Sequence, residues 1–157
     1  MSAAGRRSAA APRALGIVAI AAALALAGCA DGGEQEEPRG NVFSLEVGDC
    51  LGDAELGAEL DSVVLLPCDE PHTSEIYASI IVGDTEFPGL EAITAEADER
   101  CLAEFEGFTG GAWADSAYDF TYLHPTAGSW ANGDREILCQ IYDPAGPTTG
   151  SLQGAGA

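Results

Sequence analysis

Apolar positions along this chain follow two different periods. From Asn41 onward they recur in short runs broken by Gly, Pro, Asp and Asn, the pattern of strands joined by tight connections. The runs predict strands at Val42–Val47, Ser62–Leu66, Glu75–Val82, Tyr118–Leu123 and Glu136–Tyr142, of which the third and fifth are the clearest. Between the third and the fourth the period lengthens. Leu90, Ile93, Ala97, Cys101, Phe105 and Phe108 fall within about 120° on a helical wheel, while Glu91, Glu99, Arg100 and Glu106 lie outside that arc. Pro88 suits the first turn of this helix and Gly107 its end, since proline lacks only a dispensable amide there and glycine accepts a left-handed cap. No internal repeat is present. Strands around one helix define an α+β domain, a small antiparallel sheet packed against one amphipathic helix.

The amino-terminal segment has a different character. Arg6, Arg7 and Arg13 precede an apolar run from Ala14 to Ala27 that is rich in Ala and Leu, the layout of an export signal. As a helix that run rises only about 21 Å, short of a bilayer core of about 30 Å, so a permanent membrane span is disfavoured. It ends in Leu26-Ala27-Gly28-Cys29, which resembles the bacterial lipobox, where small residues precede a cysteine whose sulfur accepts diacylglycerol before cleavage on its amino side. Residues 1–28 are thus read as a lipoprotein signal peptide and Cys29 as the lipidation site. The competing readings are a chance cysteine after an ordinary secretory signal, or an uncleaved anchor, and either still places the domain outside. The Arg6-Arg7 pair suggests the twin-arginine route only weakly, because Ser8-Ala9-Ala10 lacks that signal's usual apolar pattern. Two or more acyl chains give stable anchoring where one binds reversibly, so a diacylglyceryl cysteine suffices alone. Residues 29–41 hold Asp31-Gly32-Gly33-Glu34-Gln35-Glu36-Glu37-Pro38, too polar to bury a core, and read as a flexible acidic tether to a domain at 42–157.

Charge narrows the partners. Removing residues 1–28 leaves 26 acids against three arginines, and the chain has no lysine. Such a surface excludes nucleic acid, whose phosphates need Lys or Arg, and does not adhere electrostatically to anionic headgroups. The membrane is therefore a partner only through the lipid, at the outer face of the cell membrane. The absence of lysine with abundant Ala and Gly suits a high-GC genome, or a halophile.

Apart from Cys29, the chain carries Cys50, Cys68, Cys101 and Cys139, an even set in an oxidising compartment, which implies two disulfides. Cys101 lies in the middle of the helix's apolar arc and Cys139 shares a strand face with Ile137 and Ile141, so both point into one core and pair. Cys50 and Cys68 remain, and their bridge would clip two neighbouring strands. A zinc site is disfavoured, because the dispersed cysteines contain no Cys-x-x-Cys pair.

His72 and Glu75, three residues apart beside Cys68, could form a metal or proton-transfer site if that segment were helical. Pro71 favours a turn instead, with the His72 ring bonded to backbone or carboxylate. Ser129, His72 and Asp134 are the residue types of a hydrolase triad, but no Gly-x-Ser-x-Gly elbow surrounds Ser129. Asp134-Arg135 follows Asn132-Gly133 and reads as a turn with an Arg–carboxylate pair. Trp130 is the residue most readily given to a partner, although packing over the core suits it better. Scattered acids without an Asp-x-Asp-x-Asp-Gly loop read as a solvated face, not a calcium site. These features imply no catalytic residue, no metal and no cofactor, and leave His72, Glu75, Trp130, Asp134 and Arg135 as candidate binding residues. A metal-dependent or hydrolytic enzyme using His72, Glu75 and Asp134 is the alternative.

Several motifs in order resemble the septum formation domain of actinobacterial envelope proteins. They are Val47-Gly48-Asp49-Cys50, Pro67-Cys68-Asp69-Glu70-Pro71-His72-Thr73-Ser74-Glu75, the helical Cys101, Pro125-Thr126-Ala127-Gly128-Ser129-Trp130-Ala131-Asn132-Gly133-Asp134-Arg135, Cys139, and Gly150-Ser151-Leu152-Gln153-Gly154. The resemblance covers about Phe43 to Gly154. It implies an envelope module linked to septum formation or cell division, with envelope proteins, division proteins or wall components as partners. It implies no reaction and no catalytic residue.

Overall fold

The computed structural model describes residues 39–52 and 62–156, which belong to one compact unit, 35–157. The export signal, Cys29 and the tether up to residue 38 lie outside the described residues. Runs rich in Val, Ile, Leu and Tyr form a six-stranded sheet: β1 (Arg39–Asn41), β2 (Cys50–Leu51), β3 (Ser62–Leu66), β4 (Ser74–Ile81), β5 (Asp119–Leu123) and β6 (Glu136–Tyr142). The strand order is β1-β3-β2-β4-β6-β5, and every pairing is antiparallel. A 20-residue helix, α1 (Leu90–Thr109), packs on one face, and a short helix, α2 (Ala127–Ala131), precedes β6. No helix of the described residues is long and apolar enough to cross a membrane. The α+β class and the helix-on-sheet arrangement follow the sequence pattern.

The first strand does not. Instead of one strand over Val42–Val47, the chain pairs earlier and later. Arg39–Asn41 lies against Ser62–Val64, so the sheet begins three residues before the expected domain start at residue 42. Asn41 then accepts the Phe43 N–H on its side-chain oxygen at 2.9 Å and starts a 3-10 turn over Val42–Ser44. A side-chain acceptor two residues back offers the backbone an alternative to the ladder, and here it wins. A turn at Gly48, with φ +98°, delivers Cys50–Leu51 as a two-residue strand between β3 and β4.

Both helix boundaries shift toward the carboxy terminus. Pro88 precedes the helix, whose N-cap is Gly89, and Gly107 continues it. The end is set by Gly110 at φ 82°, a left-handed residue whose N–H bonds the Glu106 carbonyl at 2.9 Å. The buried stripe is Ile93, Ala97, Cys101, Phe105 and Thr109, one residue per four. Leu90, expected on that stripe, is exposed, and Phe108 only half-buried. Thr109 carries the stripe one turn further because its hydroxyl donates to the Phe105 carbonyl at 2.9 Å, which satisfies it without water.

A β-bulge explains how the central strand faces the helix. The β4–β6 register shifts between Ile76 and Ala78, so Tyr77 and Ala78 both turn toward α1. There they meet Ile93, Ala97, Cys101 and Phe105 of the helix and Ile137, Cys139 and Ile141 of β6. Tyr77 and Phe105 meet edge to face with centroids 6.1 Å apart, and the Tyr77 hydroxyl donates to the Cys101 carbonyl at 2.7 Å. Ile76 and Leu138 point the other way and join Leu45, Leu51 and Val63 in a second cluster. Burial on both sides makes β4 and β6 near-continuous apolar runs and accounts for their clarity in the sequence.

Both disulfides form as the sequence predicts. Cys101–Cys139 ties α1 to β6 inside the main core, with Cα atoms 5.5 Å apart and both residues 0% exposed. Cys50–Cys68 joins β2 to the loop after β3, with Cα atoms 5.3 Å apart. Separations of 38 and 18 residues correspond to about 4 and about 3 kcal/mol in the chain-entropy account.

Candidate functional site

The segment from Pro67 to Glu75 carries the densest chemistry and is held from three sides. A turn closes with the Glu70 N–H on the Pro67 carbonyl at 2.9 Å, which Pro71 follows. Thr73 then fastens the loop to β2: its N–H donates to the Leu51 carbonyl at 2.8 Å and its hydroxyl to the Gly52 carbonyl at 2.6 Å. On the third side lies the carboxy-terminal segment. His72 and Thr148 exchange backbone hydrogen bonds in both directions at 2.9 Å, and the Gly150 N–H donates to the Cys68 carbonyl at 2.6 Å. Gly150 has φ +89°, a backbone that favours glycine.

His72 is completely buried. Its Nδ1 lies 2.9 Å from the Glu70 carbonyl, which can only accept, so Nδ1 carries a proton. In the neutral ring Nε2 is then an acceptor, and the Thr148 hydroxyl stands 3.4 Å from it. Both ring nitrogens thus face the protein's own groups, which fixes the turn around Cys68.

Glu75 is 2% exposed, and its carboxylate is matched by donors from the tail. Oε1 accepts the Ser151 hydroxyl and Oε2 the Leu152 N–H, both at 2.7 Å. These partners lie 76 and 77 residues away in sequence, and no local pattern announces them. The tail continues to the end of α1, where the N–H groups of Gly154 and Gly156 reach the Phe108 and Thr109 carbonyls at 2.9 and 2.8 Å. A Cβ on Gly111 would run into the Gly156 carbonyl oxygen, so glycine is required at that crossing. Among the described residues, the one group with metal-ligand spacing is Cys50, Cys68 and Glu75, whose ligand atoms lie within 4.8 Å of one another. In the oxidised chain the two sulfurs are bonded to each other and are not available as thiolate ligands.

Trp130, Asp134 and Arg135 form a second constellation. Thr126 caps α2 in a reciprocal box with Ser129: the Ser129 N–H donates to Thr126 Oγ1 at 3.1 Å and the Thr126 N–H to Ser129 Oγ at 2.9 Å. The Ser129 hydroxyl is thereby engaged in structure. Trp130 is 5% exposed, packed edge to face against Phe87 at 5.6 Å, so its ring belongs to the core. The Arg135 guanidinium stacks over that ring at 3.8 Å. Arg135 also differs from the sequence expectation of a carboxylate pair: its Nη1 donates to the carbonyls of Trp130 at 2.8 Å and Asp134 at 2.6 Å. Asp134 caps the start of β6 by accepting the Glu136 N–H at 3.1 Å. Stacking and carbonyl acceptance in a half-buried pocket draw the guanidinium away from the solvated acids. Trp130 Nε1 is the one buried side-chain polar atom without a partner among the described residues.

The two constellations are far apart. Glu75 pairs with Ile141 at one end of β6 and Ile81 with Glu136 at the other, about 17 Å along a strand at roughly 3.4 Å per residue. Asp134 lies two residues beyond that far end. The sets His72–Glu75–Asp134 and Ser129–His72–Asp134 are therefore not assembled as sites, which corrects the grouping on which the hydrolytic alternative rested. Three tyrosines, Tyr77, Tyr122 and Tyr142, are held protonated well above neutrality. Burial, with Glu104 adding to it, pushes the Tyr77 phenol far above its ordinary value. Tyr122 is pushed up to about 12 by desolvation and then by Asp98, and Tyr142 is raised by desolvation and by Asp119.

Fold and site together describe a small disulfide-stapled α+β domain whose polar residues are spent on closing loops and anchoring its own carboxy-terminal segment. The sequence model of the Septum formation family matches residues 47–156, most of the chain, and the protein belongs to that family. Neither a curated protein nor a solved structure matches it.

Proposed function

We propose that this protein is an exported, lipid-anchored interaction module of the cell envelope that works in septum formation and catalyses no reaction of its own. The observation that carries the reading is the family match over residues 47–156. The Leu26-Ala27-Gly28-Cys29 motif supports the anchor, and two disulfides suit an oxidising compartment. With His72 and Trp130 buried, the contact surface is the exposed rim beside His72: Val47, Pro67, Asp69, Glu70 and Pro71. A partner for so acidic a domain presents basic residues, which raise the encounter rate and make it salt-sensitive.

The test is a fluorescent fusion of the full chain imaged in dividing cells, with Cys29→Ala beside it. Enrichment at the septum, and its loss with the membrane signal in Cys29→Ala, is the expected result. Uniform distribution over the envelope through division sinks the septal role, and unchanged membrane retention of Cys29→Ala sinks the anchor. Metal found in the purified protein and lost in His72→Ala would overturn the non-enzymatic reading.

A further inference from the structure

The two disulfides occupy opposite environments. Cys101 and Cys139 are both 0% exposed beneath α1, where no external thiol can arrive. Cys50 is 1% exposed, but Cys68 is half-buried in a loop whose neighbours Pro67 and Asp69 are exposed. One residue of this bridge is partly exposed and the other is sheltered. The sheltered one has a carboxylate for company: Glu75 stands opposite Cys50 in the β2–β4 register, and its oxygen and both sulfurs lie within 4.8 Å of one another.

We propose that Cys50–Cys68 is an exchange-active disulfide through which the domain reacts reversibly with a thiol-bearing protein of the envelope. Cys68 Sγ is the point of attack, Cys50 Sγ the leaving and resolving sulfur, and Glu75 the group that takes the proton from Cys50. The proposal stands independently of the septal role.

The chemistry balances with a dithiol protein as reductant. Its thiolate attacks Cys68 Sγ, the Cys50–Cys68 bond breaks, and the electron pair goes to Cys50 Sγ, which takes a proton by way of the Glu75 carboxyl, itself recharged from solvent. The partner's second thiol, as thiolate, attacks the mixed disulfide and expels the Cys68 thiolate, which takes up a proton. The partner is oxidised to its disulfide and this chain gains two electrons and two protons. In the reverse direction the partner's disulfide is the oxidant. The Cys68 thiolate opens it, then the Cys50 thiol gives its proton to a Glu75 oxygen and attacks Cys68 Sγ, and the partner leaves as a thiolate. A buried thiol is otherwise held protonated and inert, so the adjacent carboxylate supplies what the resolving step lacks.

The backbone keeps the opened pair in place. Ile76 N–H donates to the Asp49 carbonyl at 2.9 Å, Gly48 N–H to the Ile76 carbonyl at 2.8 Å, and Gly52 N–H to the Val64 carbonyl at 2.8 Å, all without the bridge. The Gly150 N–H holds the Cys68 carbonyl from the other side. Opening therefore leaves Cys50 in register with Glu75 and the Cys68 loop held beside it.

The test uses the oxidised full-length protein in glutathione buffers of graded redox ratio, with alkylation and mass mapping. Cys50 and Cys68 are expected to label while Cys101 and Cys139 stay bridged and the tertiary circular dichroism is retained. Cys50→Ser should accumulate a glutathione adduct on Cys68, and Cys68→Ser none on Cys50. Glu75→Gln should slow reoxidation by glutathione disulfide about tenfold at pH 7, a deficit that closes above the ordinary thiol range near pH 8.5. If Glu75→Gln does not fold, Ser151→Ala replaces it; losing one donor frees a carboxylate oxygen to receive the Cys50 proton, and reoxidation is expected to be faster. Both bridges opening together, opening only in denaturant, equal adducts on both cysteines, or a Glu75 effect independent of pH each overturn the proposal.

Discussion

Replacing Glu75 by Ala should unfasten the carboxy-terminal segment and cost the domain about 3–5 kcal/mol. The carboxylate accepts two hydrogen bonds at 2.7 Å, from the Ser151 hydroxyl and the Leu152 N–H, in a site only 2% exposed. Hydrogen bonds to a charged group contribute about 1.5–3 kcal/mol each, and a buried donor left unpaired costs about 1–3 kcal/mol. Part of that cost is relieved if the tail lifts into water, which sets the lower end of the range. For a domain of this size 1 kcal/mol corresponds to roughly 3–6 °C, so Glu75→Ala should melt at least about 9 °C below the native protein. Glu75→Gln keeps one acceptor but turns an amide donor toward the other, so it should fall between the two. Urea unfolding gives the energy, and amide hydrogen exchange at Leu152, Gly154 and Gly156 gives the location. Loss of protection there before global unfolding is expected. A Glu75→Ala protein that melts within 2 °C of the native one, with those amides still protected, would refute the reasoning.

Removal of Cys101–Cys139 as a double Ala variant should destabilise more than removal of Cys50–Cys68. It gives up about 4 kcal/mol of loop closure, against about 3, and also empties a fully buried site between α1 and β6; urea midpoints measure both. Arg135→Ala should cost about 2 kcal/mol through the lost stack on Trp130 and two carbonyl bonds, and should red-shift the tryptophan emission only slightly, because Phe87 still packs the ring. Alkaline titration followed at the phenolate absorbance should find Tyr122 ionising near 12. Its folded value lies above the unfolded one near 10, so its contribution is fully present below pH 10 and lost as pH rises from 10 through 12. A chemical unfolding series across that window that shows no decline would contradict this sign.

How much of this was written in the sequence differs by element. The helix was legible because its stripe is a local property: Ile93, Ala97, Cys101 and Phe105 recur within one continuous segment. β4 and β6 were legible because a central strand buried on both faces needs an unbroken apolar run. Cys101 with Cys139 followed from those two patterns. The first strand was misplaced because Asn41 carries a side-chain acceptor that competes with the ladder, and propensity alone does not rank that local bond against pairing with β3. The helix end was placed three residues early because Gly107 and Gly110 look alike in sequence, and only the burial of Thr109 selects between them.

The chain by itself thus determined the class, the helix, the central strands and the number of bridges, since periodicity and cysteine count are carried by neighbouring residues or by composition. Only the tertiary structure decided that Glu75 is buried against Ser151 and Leu152, that His72 is sealed by Thr148, that Asp134 stands at the far end of β6 from them, and that Arg135 stacks on Trp130. Those contacts join residues that are mostly remote in the chain, and their partners are chosen by which strand ends the sheet brings side by side.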